Sequence, residues 1–496
     1  MKKLFALFIL FFFTFGIAQA QVLQKNGWVL NESQPVSGLG GNGISTMLVQ
    51  DFGDSTYIWA GTSRGLSRMN VETEKWITYG DDQGLGNGGV SAIAIEDSVI
   101  WVATVFDTSV AEGNLQAGGG LAYTLNWGEN WKYVPQPGPT PVQNTTWDIM
   151  IVDSTVWIAS FGGGLQKSSN WKKPNWLSEN ESVSWEVETP DAYNFDPLEY
   201  LNHRPFSLLE TDGTLWVGSA GGINKSLDNG INWVNFNHQN QDDPISGNWI
   251  LAIANQRYAD KDIIWAATWE TTSETEDTSE FRGISRSEDQ GYTWTTYLKG
   301  ESVYNFAFDD SVIYACSLNG LFKSIDDGET WALFPSYYDM DADERVYSSE
   351  VYSAGVSGNN TLWVGTADGL AKSEDGGLTW KIYRAYVPTG RDGEKRTYAY
   401  PNPFSPLRHN QLGSDGHVRF QYNTENATSV TIRIFNFAME LVATVVKDKP
   451  RPGGGDFAEV WNGRTGDGDL LANGVYFYQL SLDGDGTYWG KLIILD

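Results

Sequence analysis

An eight-residue motif, Ser-x-Asp-x-Gly-x-Thr-Trp, recurs along the chain and limits what the chain can fold into. Good copies occupy residues 226–233, 287–294, 324–331 and 373–380, and a worn copy occupies residues 124–131. The residue types are those of a tight turn, because Asp or Asn caps the backbone two residues on and Gly adopts positive φ. We expect the Trp to fill the gap between neighbouring sheets. A unit that repeats in this way predicts a fold built from equivalent modules.

A second repeated element lies upstream of the motif: an apolar run with an aromatic residue, followed by Gly-Leu or Gly-Ile. Four short strands in each repeat of roughly 50 residues, repeated four to eight times, are typical of a β-propeller. No stretch of 12 or more residues has the apolar spacing of a helix. The sequence therefore predicts an all-β protein with a seven-bladed β-propeller. The seven aromatic positions are Trp59, Trp101, Trp157, Trp216, Trp265, Tyr314 and Trp363.

The repeated turns resemble the Asp-box of sialidase-type and sortilin-type propellers. Residues 84–91, followed by Ile100-Trp-Val-Ala-Thr104, resemble the propeller repeats of bacterial two-component sensor ectodomains. Both resemblances imply a propeller. Neither implies an activity, because in those families the Asp-box is structural and rarely touches the ligand.

The last hundred residues have a different character. Residues 387–398 read as a polar linker, and residues 399–496 contain six or seven short alternating strands, which predicts an immunoglobulin-like sandwich. This segment resembles the immunoglobulin-like domain of the flagellar hook capping protein, through Tyr400-Pro-Asn-Pro-Phe404, Gly474-Val-Tyr476 and Gly490-Lys-Leu-Ile493. A similar C-terminal domain is the sorting signal of type IX secretion, so the resemblance implies a partner in the secretion machinery.

Residues 1–20 have the features of a signal peptide: two lysines, an apolar core and a small-residue cleavage site at Ala18-Gln-Ala20. We expect the propeller to begin at residue 21 and to end at residue 386. The predicted location is outside the cell or on the outer surface of a Gram-negative-type bacterium. A net charge of −29 argues against nucleic acid and anionic lipid as partners. Cys316 is the single cysteine, so no internal disulfide can form.

The predicted strand order places nearly all long insertions on one face of the propeller. These insertions are residues 106–118, 135–144, 177–205, 237–247, 270–282 and 336–345. Long loops on a rigid scaffold commonly carry function, and aromatic and acidic side chains together suit a sugar or a peptide. The alternative is that these side chains only hold their own loops together. The candidate binding residues are Trp176, Trp185, Tyr193, Tyr200, His203, Trp269, Glu270, Tyr337 and Tyr338.

Catalytic and metal motifs are weak. The four histidines are scattered, so we expect no cofactor; structural calcium at the Asp-rich turns 341–344 and 483–486 stays an alternative, although neither has the spacing of a known calcium loop. Sialidase chemistry would need an arginine cluster that the sequence does not indicate. A glycosidase needs only two carboxylates. We therefore predict a non-catalytic protein that binds a glycan or a protein, with an extracellular carbohydrate-active hydrolase and an extracytoplasmic assembly factor as alternatives.

Overall fold

The structure is a computed structural model that describes residues 38–110, 113–169, 183–271, 279–334, 336–390, 395–412 and 415–496. The predicted signal peptide and Trp176 lie outside these residues. The described chain is almost entirely β-structure, as predicted, with short 3₁₀ turns at Asp81–Gln83, Leu201–His203 and Gly358–Asn360. Contacts between Cα atoms divide it into two units. One comprises Gly38–Val346 and Glu350–Arg384, and the other comprises Tyr347–Ser349 and Ala385–Asp496.

Within the described residues, the first unit contains seven four-stranded antiparallel sheets, each formed by four strands that are consecutive in the chain. The strands, blade by blade, are β1 (Ile44–Phe52), β2 (Ser55–Thr62), β3 (Gly65–Asn70) and β4 (Lys75–Tyr79); β5 (Gly89–Glu96), β6 (Val99–Val110), β7 (Gly113–Thr124) and β8 (Lys132–Val134); β9 (Thr146–Val152), β10 (Thr155–Ser160), β11 (Gly164–Ser168) and β12 (Glu186–Glu188); β13 (Pro205–Thr211), β14 (Thr214–Ser219), β15 (Gly222–Ser226) and β16 (Val234–Phe236); β17 (Trp249–Tyr258), β18 (Lys261–Trp269), β19 (Gly283–Ser287) and β20 (Thr295–Tyr297); β21 (Val303–Asp309), β22 (Val312–Ser317), β23 (Gly320–Ser324) and β24 (Ala332–Leu333); and, after a small hairpin of β25 (Tyr338–Asp339) and β26 (Glu344–Arg345), β27 (Val351–Ser357), β28 (Thr361–Thr366), β29 (Gly369–Ser373) and β30 (Lys381–Tyr383).

The seven sheets close into a ring. The first strand of each blade packs against the first strand of the next, and β27 of the seventh blade packs against β1 of the first. At this junction the Lys381 ammonium lies 2.6 Å from a carboxylate oxygen of Glu74, and the Tyr383 hydroxyl donates to Glu74 at 2.9 Å. The predicted seven-bladed propeller is therefore confirmed.

The second strand of each blade carries the aromatic residue that the sequence repeat indicated, and these side chains are buried. In most of the described blades, a Lys or Arg directly opposite on the third strand covers the ring. Lys225, for example, pairs in register with Trp216 and lies 4.7 Å from its ring centroid. In the second blade Tyr123 replaces the cation and stacks on Trp101 at 4.5 Å. Cation–π contacts of this kind stabilise the blade, and the Lys225 ammonium also donates to the Gln290 carbonyl at 2.9 Å.

The Ser-x-Asp-x-Gly-x-Thr-Trp turns connect the third and fourth strands and hold neighbouring blades together. In the turn after β23, Asp326 accepts hydrogen bonds from the Thr330 amide at 2.9 Å and hydroxyl at 2.6 Å. Gly328 has a φ of +91°, and a Cβ there would lie 2.8 Å from Trp265 of the preceding blade. Trp331 meets the same Trp265 edge to face at 6.4 Å. The turn thus wedges one blade against the previous one, as the predicted role of its Trp requires.

Because the strands alternate in direction, the repeated turns lie on one face of the ring, here called the turn face. Second-to-third-strand and blade-to-blade connections lie on the other, the loop face. Most predicted insertions lie on the loop face, but the prediction for residues 177–205 was wrong in part. Strand β12 lies within this segment, so the described residues 183–185 that lead into it are on the turn-face side, and residues 189–204 belong to the loop face.

In its described residues, the second unit is a two-sheet antiparallel sandwich around an apolar core. Its strands are β31 (Thr397–Tyr400), β32 (Val418–Thr424), β33 (Thr428–Phe435), β34 (Leu441–Arg451), β35 (Gly455–Trp461), β36 (Gly474–Leu482) and β37 (Gly486–Ile494). The order is β31-β32-β35 in one sheet and β34-β33-β36-β37 in the other. Fully buried aromatic residues between the sheets include Phe404, Phe420, Tyr422 and Tyr478. The predicted sandwich is thus present, while the immunoglobulin-like assignment stays a prediction.

Candidate functional site

An open groove on the loop face lies where the third blade connects to the fourth. Its volume is about 350 Å³. Most of its wall comes from the 189–204 connection, which ends in the 3₁₀ turn Leu201–His203, and the remainder comes from the turn between β14 and β15 and from β16. The lining residues are Pro190, Asp191, Tyr193, Glu199, Tyr200, Leu201, Asn202, Gly221 and Asn235.

Two tyrosines form an aromatic wall of the groove. The rings of Tyr193 and Tyr200 stack at 4.6 Å between centroids with only 9° between their planes. Tyr193 is 58% exposed, so the pair stands at the groove rim with a large apolar surface in solvent. Stacked rings that are accessible in this way provide the flat apolar surface on which a sugar ring or another planar group can pack.

Linked amide side chains form the floor. The Oδ1 atom of Asn202 accepts hydrogen bonds from the Ser219 hydroxyl at 2.8 Å and from the Asn224 side chain at 2.7 Å. Asn235 donates to Asn224 at 3.0 Å, and Asn237 donates to Asn235 at 2.8 Å. A network satisfied in this way is rigid, because breaking one bond would leave a buried polar group without a partner.

A buried histidine holds the acidic residue of the floor in place. His203 is 2% exposed, and its Nδ1 accepts a hydrogen bond from the Asp196 amide at 3.0 Å. The ring proton therefore lies on Nε2, which donates to Asp191 Oδ1 at 3.0 Å. Asp191 also accepts bonds from the Tyr193 amide and the Asn202 side chain.

The hydrogen bonds fix the charge of Asp191. Burial alone would raise the pKa of its carboxyl group, but the bonds from His203, the Tyr193 amide and Asn202 together lower that pKa below its usual value. Asp191 is therefore an ionised hydrogen-bond acceptor at neutral pH, and it lacks the raised pKa that a general acid needs.

A second cluster on the loop face, at the end of the fifth blade, contains two further predicted residues. Arg282 donates to both carboxylate oxygens of Glu270, at 2.9 and 3.0 Å, and its guanidinium lies 4.8 Å from the Trp269 ring centroid. Trp269 in turn contacts Tyr304 on the sixth blade, at 6.1 Å. The charge of Glu270 is thus already matched, and the cluster joins the two described ends of the second-to-third-strand connection.

The first strands bear a β-bulge at the same position in all seven blades of the described chain. The bulges follow residues 44, 90, 146, 205, 250, 303 and 351. In the third, fourth, sixth and seventh blades the extra residue is aromatic: Trp147, Phe206, Tyr304 and Tyr352. The rings of Tyr304 and Tyr352, on the sixth and seventh blades, contact each other at 5.5 Å.

Two carboxyl groups near these rings have raised pKa values. Burial raises the pKa of Asp148 to about 7 although the Leu208 and Ile149 amides donate to it. Burial likewise raises the pKa of Glu350 to about 7, against the hydrogen bond from the Tyr352 hydroxyl at 2.5 Å. Perturbed carboxyl groups occur in both functional and structural positions.

The structure separates the other predicted binding residues from the groove. Trp185 is on the turn face and contacts Trp101 edge to face at 6.1 Å. It directly precedes β12, the position at which five other blades place the Trp of the repeated turn. Tyr337 is 4% exposed and packs on Trp380 at 4.8 Å. Tyr338 is on the hairpin surface and donates to Asp343 at 3.0 Å.

Sequence reasoning missed the asparagines of the floor. Asn202 lies in a connection, Asn224 and Asn235 lie in strands, and Asn237 follows β16. No spacing in the sequence marks the four as neighbours. The signal that could have identified them is their common position at the loop-face ends of β15 and β16.

Metal ligands are not clustered among the described residues, where no group of three or more His, Cys, Asp or Glu side chains could hold an ion. In the Asp-rich turns, Asp485 forms an ion pair with Arg396 at 2.5 Å, and Asp343 accepts the bond from Tyr338. The buried thiol of Cys316 is free. None of the described helical segments is long and apolar enough to cross a membrane.

Fold and groove together define a seven-bladed β-propeller with an open aromatic groove on its loop face. No family model matches the sequence, and no curated protein matches it. Solved structures match in fold. A GH74 enzyme from Niastella koreensis is 12% identical, covers 93% of this chain and 74% of its own, and has a TM-score of 0.52.

Two other structures complete the comparison. An ancestral GH74 enzyme is 15% identical, with 94% of this chain and 64% of its own covered and a TM-score of 0.52. The third structure is PorZ, an essential bacterial surface component of the type-IX secretion system of Porphyromonas gingivalis. It is 14% identical, with 90% of this chain and 65% of its own covered and a TM-score of 0.32. This chain thus spans just under two thirds of both. The similarity to the two GH74 enzymes shows a shared propeller fold and leaves activity open.

Proposed function

We propose that this protein is an exported, non-catalytic binding protein whose loop-face groove takes a carbohydrate chain. The observation that carries the proposal is the groove itself, with the exposed Tyr193–Tyr200 stack beside a rigid floor of carboxylate and amide groups. Sugar rings offer an apolar face for stacking and hydroxyl groups for hydrogen bonds. An aromatic wall beside fixed polar groups meets both requirements.

The chemistry of the groove favours binding over hydrolysis. A glycosidase requires a carboxyl group that can donate a proton and a second carboxylate facing it. Asp191 is held ionised by its three hydrogen bonds, and Glu199 is the one other carboxylate of the lining. Asp148 and Glu350, which have raised pKa values, do not line the groove. The hydrolase alternative is therefore the weaker one.

We further propose that the second unit is an immunoglobulin-like domain with a role in sorting, and that the repeated turns belong to the Asp-box type. Support for the first comes from the three-stranded and four-stranded sheets packed face to face, together with the sequence resemblance. The Asp-box assignment is supported by the hydrogen bonds that the Thr residues of the turns donate to the Asp residues. Export through a type IX-like route from a Gram-negative-type bacterium follows from the same resemblance. Loss of residues 399–496 should then abolish appearance of the protein outside the cell, and undiminished export would refute the sorting role.

A glycan and polysaccharide array on the protein, run beside a reducing-sugar release assay, tests the binding function. We expect retention of at least one glycan without release of reducing ends. Tyr193→Ala and Tyr200→Ala should each weaken retention by at least about tenfold, since stacking surface is lost. Tyr292→Ala is the matched control, because Tyr292 is 67% exposed on the turn face.

Each other outcome of the array has a definite meaning. Release of reducing ends would overturn the non-catalytic assignment. Retention that is unchanged in both groove variants would overturn the groove as the site. Absence of glycan retention, with capture of a protein partner that the tyrosine variants abolish, would replace the glycan proposal by the assembly-factor alternative.

A further inference from the structure

The outer face of the four-stranded sheet in the second unit carries an aromatic and cationic surface that packing within this unit does not use. Along β36, Tyr476, Tyr478 and Leu480 point into the core, so Val475, Phe477 and Gln479 point outward. Successive side chains of a strand lie on opposite faces. The outward residues of β33 and β37 follow from the same alternation.

Strand register arranges the outward residues in two neighbouring rows. One row runs Leu441, Phe435, Phe477 and Lys491, since Phe435 pairs with both Leu441 and Phe477, and Phe477 pairs with Lys491. The next row runs Thr444, Arg433, Gln479 and Trp489 by the same pairings. Aromatic and donor side chains therefore lie side by side on one sheet face.

The apolar members of this surface are unusually exposed. Trp489 is 47% exposed, Leu441 is 55% exposed, and Phe437 in the turn after β33 is 79% exposed. Phe435 contacts Trp489 at 5.3 Å with 45° between the rings, and Phe437 contacts Phe477 at 6.3 Å with 36° between them. The rings are inclined to one another, so they form a twisted platform. A contiguous exposed apolar surface of this kind commonly marks an interaction site.

Hydrogen-bond donors stand between the rings. In the part of the chain that the structure describes, no carboxylate forms an ion pair with Arg433 or Lys491, and neither row contains an acidic residue. The chain as a whole has a net charge of −29, so two unmatched cations beside four aromatic rings are a local exception. A ligand that carries negative charge would pair with these two cations.

From this juxtaposition we infer that the outer face of the β34-β33-β36-β37 sheet binds an acidic polysaccharide, such as a chain of uronic acids. Its sugar rings would pack on Phe437, Phe477 and Trp489, and its carboxylates would pair with Arg433 and Lys491. The inclined rings suit a polysaccharide that twists along its length. The inference is independent of the propeller groove, because it uses other residues on another unit.

Affinity electrophoresis of the full chain tests the inference, with polygalacturonate or alginate in the gel and with hydroxyethylcellulose or dextran as neutral comparisons. We expect retardation in the acidic gels alone, weakened by added salt. Trp489→Ala and Phe437→Ala should each weaken binding at least about tenfold. The double change Arg433→Gln with Lys491→Gln should do the same.

Two controls keep the result specific. Leu407→Ala, at a side chain of the second unit that is 52% exposed and lies outside the two rows, should bind as the unchanged protein does. Tyr193→Ala with Tyr200→Ala should also leave acidic-polysaccharide binding intact, which separates this site from the groove. Absence of retardation in both acidic gels would overturn the inference, as would equal retardation in neutral gels or retention that the sheet-face variants do not change.

Discussion

His203 Nε2 donates a hydrogen bond to Asp191 Oδ1 at 3.0 Å, and the imidazole behind this bond is almost completely buried. The bond joins the start of the 189–204 connection to its end. It therefore does two things at once: it folds the connection against the fourth blade, and it presents an ionised oxygen to the groove.

Asp191→Asn should test this relationship. The new amide would place an N–H group opposite the donor groups of Asn202 or His203, so one hydrogen bond is lost and a buried donor is left without an acceptor. We expect a loss of about 1–2 kcal/mol in the free energy of unfolding, measured by urea denaturation, together with weaker ligand binding. Glu199→Gln, at an exposed carboxylate of the same groove, should leave stability unchanged; an equal loss there would contradict the assigned role of His203.

The wedge formed by the repeated turn can be tested at Gly328. An alanine there would adopt φ near +91° and place its Cβ 2.8 Å from Trp265. Gly213 is a suitable control, because its φ is +75° and its added Cβ would meet no atom within 4 Å. Gly213→Ala should cost about 1 kcal/mol through backbone strain alone, and Gly328→Ala should cost about 1–3 kcal/mol more through overpacking. Thermal unfolding of both variants measures the two losses of stability. Equal losses would argue against the wedge.

Acid should loosen the turn face through the repeated aspartates. Hydrogen bonds from the Thr379 side chain and amide lower the pKa of Asp375 to about 2. Since the folded pKa is depressed, the stabilisation is fully present above the unfolded pKa of 3.8 and is lost as the pH falls through about 2. Asp375→Ala should therefore narrow the stability difference between pH 5 and pH 2, as followed by tryptophan fluorescence. An unchanged pH profile would show that the turn does not depend on its charge.

The raised pKa of Glu350 predicts a dependence of stability on pH that is opposite in sign to that of Asp375. Burial raises its folded pKa from 4.5 to about 7, so its contribution is fully present below pH 4.5 and is lost as the pH rises through about 7. The unchanged protein should lose up to roughly 3 kcal/mol over this range through Glu350. Glu350→Gln should remove this slope and be the more stable form at pH 8. Denaturant titrations at pH 5 and pH 8 provide the measurement, and parallel slopes for both proteins would refute the assignment.

The blade repeat was readable from sequence because each unit needs the same buried ring and the same tight turn. Trp59 to Trp363 and the Gly-Leu pairs mark the strands regardless of what the loops do. The third blade was the exception. In this blade an insertion separates Ser168 from Trp185, so the two residues lack the spacing that identifies the repeated turn. The sequence therefore assigns Trp185 to the wrong face, although it fills the usual place between blades.

The groove was predictable only in part. An aromatic residue in a long loop has the same appearance in sequence whether it faces solvent, as Tyr193 does, or packs on a buried ring of another segment, as Tyr337 does on Trp380. The asparagine floor depends on the loop-face ends of β15 and β16 lying beside the 189–204 connection, and this proximity arises from the packing of the connection on the blade that it enters. Tertiary packing therefore decided which predicted residues meet.

Every sheet of the ring is made from consecutive strands, so in the described chain no strand from one end of the propeller is inserted into a blade at the other end. The first and seventh blades meet through side chains such as Glu74, Lys381 and Tyr383 and through the packing of β27 on β1. In the described chain, this junction is the one place in the ring where neighbouring blades meet without a chain segment that connects them. The contact that completes the ring is therefore non-covalent.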